Sequence, residues 1–148
     1  MRESQEVRAQ IQQLGIISLA ILSGVLIFTG VVWYLLGSGR LPPEGLDLPP
    51  WIGTLFNVLA LVALVKAHLL PRLFPAPGPS APDAAVLAWY RRTIIVGFAV
   101  REAAAVVALA GAMLTGQLTG AVALVGLVVV AMVLAWPSGE RLARVAGG

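Results

Sequence analysis

Two neighbouring residues carry opposite charges in surroundings that are almost wholly apolar. They are Arg101 and Glu102, in TIIVGFAVREAAAVVALAGAML, residues 93–114. This run is about 22 residues long, enough to cross a hydrocarbon core of roughly 30 Å at 1.5 Å per residue. The charged pair lies about nine residues beyond Arg92, hence roughly 13 Å deep and near the midplane. A charge at that depth costs about 2.5–3.5 kcal/mol, so the pair costs about 5–7 if both are ionised. The Ile, Val, Leu and Phe residues of the run return about 3–5 kcal/mol together. The two sums nearly cancel, so the polar side of this helix must face protein or water rather than lipid.

An ionisable residue inside a span is a functional candidate by default. Glu102 has the chemistry to take up and release a proton or hold a cation. Arg101 has the chemistry to neutralise it, although adjacent helical residues project about 100° apart and do not stack as an i,i+4 pair does. The plainer reading is structural. Arg101 and Glu102 form an internal ion pair, or bind Ser23, Thr54, Asn57 or backbone carbonyls, and so fix helix packing. Proton or ion handling at Glu102 is the second reading, and contact with another subunit the third.

Little else in the chain points to chemistry. There is no cysteine and only one histidine, so thiolate chemistry and a multi-histidine metal site within one chain are excluded. His68 lies beside the end of an apolar run, where a histidine is normally solvated or caps carbonyls; ligation of a haem-type pigment is the minor alternative. No dinucleotide fingerprint, phosphate loop, zinc-protease or nucleophile-elbow motif occurs. The expectation is a non-enzymatic protein with no cofactor and no metal.

Composition gives the class. Of 148 residues, 59% are hydrophobic and 11% charged, with a mean hydropathy of +0.91. Soluble domains average about 45–50% apolar and about 25% charged. The formal charge is +3, but the basic residues flank apolar runs and read as topology signals rather than a nucleic-acid surface. Four apolar runs are expected as transmembrane helices: 14–36, 51–70, 93–114 and 118–136. The fold expected is all-α, a four-transmembrane-helix bundle made of two helical hairpins within one integral membrane domain, 1–148.

The connections follow from the punctuation. Residues 1–13 read as a solvated turn, with a short interfacial helix as the alternative. The first run is longer than a signal-peptide core of about 7–15 residues and lacks a small-residue cleavage site. Residues 37–50 hold two Pro-Pro pairs and read as a loop. Residues 71–82 form a proline-rich linker, because Pro71 is expected to stop the second helix. Ser80, Pro82 and Asp83 resemble a helix start, with Ser80 as cap. Thr115–Thr119 reads as a tight turn and Pro137 as the final stop. Ala20 with Gly24, and Ala104, Ala108 and Ala112, are small residues at i,i+4 spacing that let other helices approach closely.

Lys and Arg mark both termini and the central linker as cytoplasmic: Arg2 and Arg8; Lys66, Arg72, Arg91 and Arg92; Arg141 and Arg144. Only Arg40 lies in the opposite loops. The expected location is the cell inner (plasma) membrane. Trp33, Tyr34 and Trp51 would form the outer aromatic belt, and Trp89, Tyr90 and Trp136 the inner one. A weak internal repeat aligns residues 15–36 with 93–114 as a parallel duplication. It places Gly24 opposite Glu102.

A membrane-embedded Glu in Ala-rich surroundings, with a glycine at matching depth on another run, resembles the proteolipid (c-type) subunits of rotary ATP synthases. The likeness covers about a third of the chain. It implies a helical hairpin or its duplication, with Glu102 as the proton-carrying carboxylate and Gly24 as its small neighbour. The chain departs from that family in setting Arg101 beside the acid and in lacking a dense glycine ladder. It also resembles small, uncharacterised four-span bacterial membrane proteins, which implies a fold and no activity. Size, short loops and small-residue stripes lead to an expected role as a small subunit or interaction component of a larger membrane complex, in contact with the bilayer, with other membrane subunits or a second copy, and with no nucleic acid. The alternative is a proton- or cation-handling protein using Glu102.

Overall fold

The computed structural model describes residues 2–40, 48–49, 51–78, 81–140 and 142. The chain is all-helical, with four helices and no strand among the described residues: α1 (Arg2–Gly37), α2 (Trp51–Leu73), α3 (Asp83–Thr115) and α4 (Leu118–Leu134). Three of them, α1, α2 and α3, are long and apolar enough to cross a membrane. α4 is apolar but shorter, at 17 residues.

The helix boundaries correct several expectations. α1 is continuous from Arg2, so the polar start is the first part of the long helix and not a turn. Its Glu, Gln, Arg and Ala residues are good helix formers and nothing in them breaks the ladder. α2 passes Pro71 and ends at Leu73. The proline removes one donor, but Phe74 N–H still reaches Leu70 O at 3.1 Å and carries the turn past it. The cap of α3 is Pro82 with no side-chain cap bond, and Asp83 is its first residue. Asp83 there favours the helix dipole. Ser80, the expected cap, lies outside the described residues, as do residues 41–47 and 50 of the expected loop. α3 runs 33 residues, about 50 Å, well beyond the apolar stretch. α4 stops at Leu134, short of Trp136. Only Gly116 and Gln117 separate α3 from α4. Gly116 sits at φ 71° and its N–H caps Ala112 O at 2.8 Å, a left-handed closure natural to glycine.

α3 is the hub. It packs against α1, α2 and α4, whereas α1 and α2 make no substantial contact with each other. α1 runs parallel to α3: residues 6–10 border its start and 24–28 lie beside 102–109. α2 and α4 run the other way. Gly53 faces Thr115 and Phe56 faces Gly111, while Trp136 packs on Phe98 and Ser138 on Tyr90. The start of α1, the linker before α3 and the segment after α4 therefore share one end of the bundle.

Small residues make these approaches possible. Ala60, Ala108, Ala112 and Ala121 are buried as one cluster of α2, α3 and α4. Phe98, Leu109, Val25, Val128 and Met132 fill the other part of the core. A Cβ on Gly111 would stand 2.5 Å from Phe56 Cβ, and one on Gly120 would stand 2.6 Å from Asn57 Nδ2. Gly126 meets nothing within 4 Å. Gly111→Ala therefore lowers the free energy of unfolding in mild detergent by about 1–3 kcal/mol through overpacking. Gly126→Ala is the control and leaves it unchanged or raised; equal effects of the two would contradict the α2–α3 contact.

Candidate functional site

The α-helix sends consecutive side chains in different directions, and Arg101 and Glu102 part accordingly. Arg101 turns into the bundle and is 8% exposed. It is engaged with its surroundings there. Its guanidinium folds back one turn along α3: a Cβ on Gly97 would stand 3.0 Å from Nη1. Helical side chains lean toward the N-terminus, so the long stem carries the charge toward the end that holds Arg91 and Arg92. Gly97 is buried and leaves room for it.

Glu102 takes another face of α3 and is half-buried. Its Oε1 lies 3.7 Å from the Cβ position of Gly24 on α1. The two line a cleft of about 260 Å³ with Val25, Phe28, Ala105, Val106 and Leu109. Among the described residues Glu102 is the only ionisable one in that lining. No hydrogen bond or ion pair joins it to Arg101 among the described residues. Gly24 is the position that the internal alignment sets opposite Glu102.

The other expected site residues are spread out. Asn57 is half-buried with its amide against Gly120 on α4. Thr54 is exposed on α2 and Ser23 is half-buried on α1. None of the three is hydrogen-bonded to Arg101 or Glu102 among the described residues. Ala104, Ala108 and Ala112 are buried at 1%, 0% and 2% exposure. Ala20 and Gly24 are both exposed, and the Cβ position of Gly24 faces Glu102 of α3. His68 is exposed. No cluster of three or more metal-ligating side chains occurs among the described residues.

Sequence reasoning missed three features. Ser18, not Ser23, is the buried serine of α1, at 1% exposure. Its place in the buried i,i+7 row with Val25 and Val32 was the available signal. Three residues expected in an aromatic belt also fasten the chain at one end. Trp89 Nε1 donates to Phe74 O at 2.7 Å. The Tyr90 hydroxyl donates to Ser138 O at 3.2 Å and accepts from Ser138 N–H at 3.1 Å. Trp136 meets Phe98 edge-on, with centroids 6.4 Å apart, a favoured aromatic geometry. Gly97 gave no signal of its own, since a glycine in an apolar run reads only as a packing residue.

Comparison of the chain with protein-family models, curated proteins and solved structures finds no match. The site is therefore judged on its own geometry.

The Gly97–Arg101 contact can be measured. Gly97→Ala gains helix propensity of about 1 kcal/mol but presses on the guanidinium. The same change in an Arg101→Met background gains the propensity without the pressure. The double-mutant cycle in detergent is expected to show coupling of about 0.5 kcal/mol or more. Additive effects would mean that Arg101 does not lie over Gly97.

Proposed function

We propose that this protein is a four-span integral membrane protein of the cell inner membrane and a non-enzymatic subunit or assembly component of a larger membrane complex. α4, at about 25 Å, is near the lower limit for a span, and its all-round apolar surface favours crossing. The start of α1, the linker before α3 and the segment after α4 share one end of the bundle, and Arg8, Arg91 and Arg92 lie toward it. This supports a cytoplasmic placement for both termini.

The observation that carries the functional reading is the position of Glu102. Its carboxylate sits in an apolar cleft between α1 and α3, half-covered by its own chain, on a residue that the length of the apolar run puts near mid-span. A polar group at that depth is expensive unless shielded. A neighbouring helix laid along the cleft and offering a donor would complete the shield. On its side turned away from the bundle α1 exposes Ile16, Leu19, Leu26 and Ile27, an apolar face that suits lipid. Glu102 then acts as a recognition group, paired only in the assembled complex.

A second reading shares the same cleft. A half-covered carboxylate beside a glycine is open to exchange with the outside of the bundle, as a proton- or cation-handling group must be. This arrangement of Glu102 and Gly24 is also what the likeness to rotary proteolipid subunits rests on.

Glu102→Gln tests both. Charge-assisted hydrogen bonds contribute about 1.5–3 kcal/mol, so the variant is expected to weaken the assembly about tenfold or more in mild detergent. A wild-type chain that is a monodisperse monomer, with no co-purifying subunit, would overturn the assembly reading. In proteoliposomes, proton or cation flux that is present and lost in Glu102→Gln would favour the second reading, and flux unchanged by the substitution would end it.

Topology is tested in the cysteine-free chain. A membrane-impermeant thiol reagent is expected to label Ser38→Cys in intact cells, and Glu140→Cys only after permeabilisation. The reverse pattern, or equal labelling of both, contradicts the proposed orientation.

A further inference from the structure

A second and larger cavity lies toward the starts of α1 and α3. It is about 1010 Å³ and is bounded by the start of α1, about the first four turns of α3 and the segment after α4. Pockets for drug-sized molecules span about 300–1,000 Å³. One side is closed where Gly139 approaches Ile11 of α1: a Cβ there would stand 3.7 Å from Cδ1.

Its lining is ordered along the helix axis. Asp83, Leu87, Arg91 and Ile95 are spaced four apart and form one row of α3, and Arg92 and Val96 end the row beside it. Ile95 and Val96 belong to the apolar run. The two arginines sit one turn further out, about 6 Å away, and Asp83 two turns beyond them. Glu6 of α1 adds a second acid and Val7 an apolar wall. Along α3 the arginines thus lie between the apolar Ile95 and Val96 and the acidic Asp83, with the apolar Leu87 and Ala88 between arginines and acid. Among the described residues no salt bridge joins Glu6 or Asp83 to Arg91 or Arg92. Arg92 instead lies over the Phe74 ring, 4.7 Å from its centroid.

A zwitterionic phospholipid carries the complementary order: acyl chains, then phosphate, then a terminal ammonium. We infer that this groove binds one phospholipid whose headgroup ends in a primary ammonium. The chains lie against Ile95 and Val96, the phosphate is held by Arg91 and Arg92, and the ammonium is held by Asp83 and Glu6. Arginine suits the phosphate because its planar fork matches oxyanion geometry. The primary ammonium, unlike a quaternary one, donates hydrogen bonds to the carboxylates. The site rests on the membrane placement of the chain, and not on Glu102 or its partner.

The test uses the full chain in nanodiscs containing equal amounts of phosphatidylethanolamine, phosphatidylcholine and phosphatidylglycerol with matched acyl chains, followed by native mass spectrometry of the lipid retained. Preferential retention of phosphatidylethanolamine is expected. Arg91→Gln and Arg92→Gln are each expected to lower retention about fivefold. Asp83→Asn with Glu6→Gln is expected to erase the preference over phosphatidylcholine. Equal retention of the three lipids by the wild-type chain overturns the site, and so does retention led by phosphatidylglycerol; neither outcome depends on a variant folding. Glycerophosphoethanolamine, which lacks the chains, is expected not to displace the lipid; displacement by it at equal concentration overturns the claim that a lipid is the ligand. Carbonate extraction separates the premise from the site: a chain released from the membrane fails both, whereas an embedded chain indifferent to headgroup fails the site alone.

Discussion

Adjacent residues of a hydrogen-bonded α-helix point about 100° apart, and in this protein the two at 101 and 102 have opposite charge. One neighbouring helix cannot enclose both. α3 resolves this by meeting three helices. Arg101 is taken into the bundle, with its guanidinium over Gly97. Glu102 is turned to α1, where Gly24 leaves a gap that the carboxylate partly fills. The charges that would have neutralised each other as an ion pair are instead held in separate places. The protein encloses the bulkier charge itself and leaves the smaller one half-covered.

That division requires close helix packing around α3. Apolar association in lipid gains little from hydrophobicity, and depends on contact between backbones. The alanines at 104, 108 and 112 supply it toward α2 and α4, and Gly111 admits the Phe56 ring. α1 is packed differently. It joins α3 along a parallel seam with a cavity at one end and a cleft further along. The tight half of the molecule is α2–α3–α4 and the open half is α1–α3. Both the cavity and the cleft, each with charge beside apolar side chains, border the open half. The fastenings of Tyr90 to Ser138 and of Trp89 to Phe74 hold the end that carries the termini, so the groove there is bounded by anchored segments.

Much of this was legible in the residues. Apolar run length gave four helices, and the small-residue spacing on α3 marked its buried stripe. The placing of Arg101 and Glu102 in one run identified the region where the structure differs from a plain apolar bundle. The pairing of helices was not legible. Two runs joined by a short loop suggest a hairpin, yet α1 and α2 both seek the alanine- and glycine-bearing faces of α3 and scarcely touch. The polar start of α1 misled for a related reason: low hydropathy reads as a turn, but nothing in RESQEVRAQIQQ stops a helix that is already nucleated. Pro71 misled because a proline in a final turn costs one hydrogen bond and the chain had only two more helical residues to place. The role of Gly97 depends on which way Arg101 bends, and a linear sequence does not show that.

The direct test of this account is the separation of the two charged positions. In the cysteine-free chain, the pair Gly24→Cys with Glu102→Cys and the pair Gly24→Cys with Arg101→Cys are each treated in membranes with the same short bifunctional thiol reagent. The account predicts rapid cross-linking of α1 to α3 in the first pair and little in the second. Cross-linking through position 101 that matches or exceeds that through 102 would contradict it.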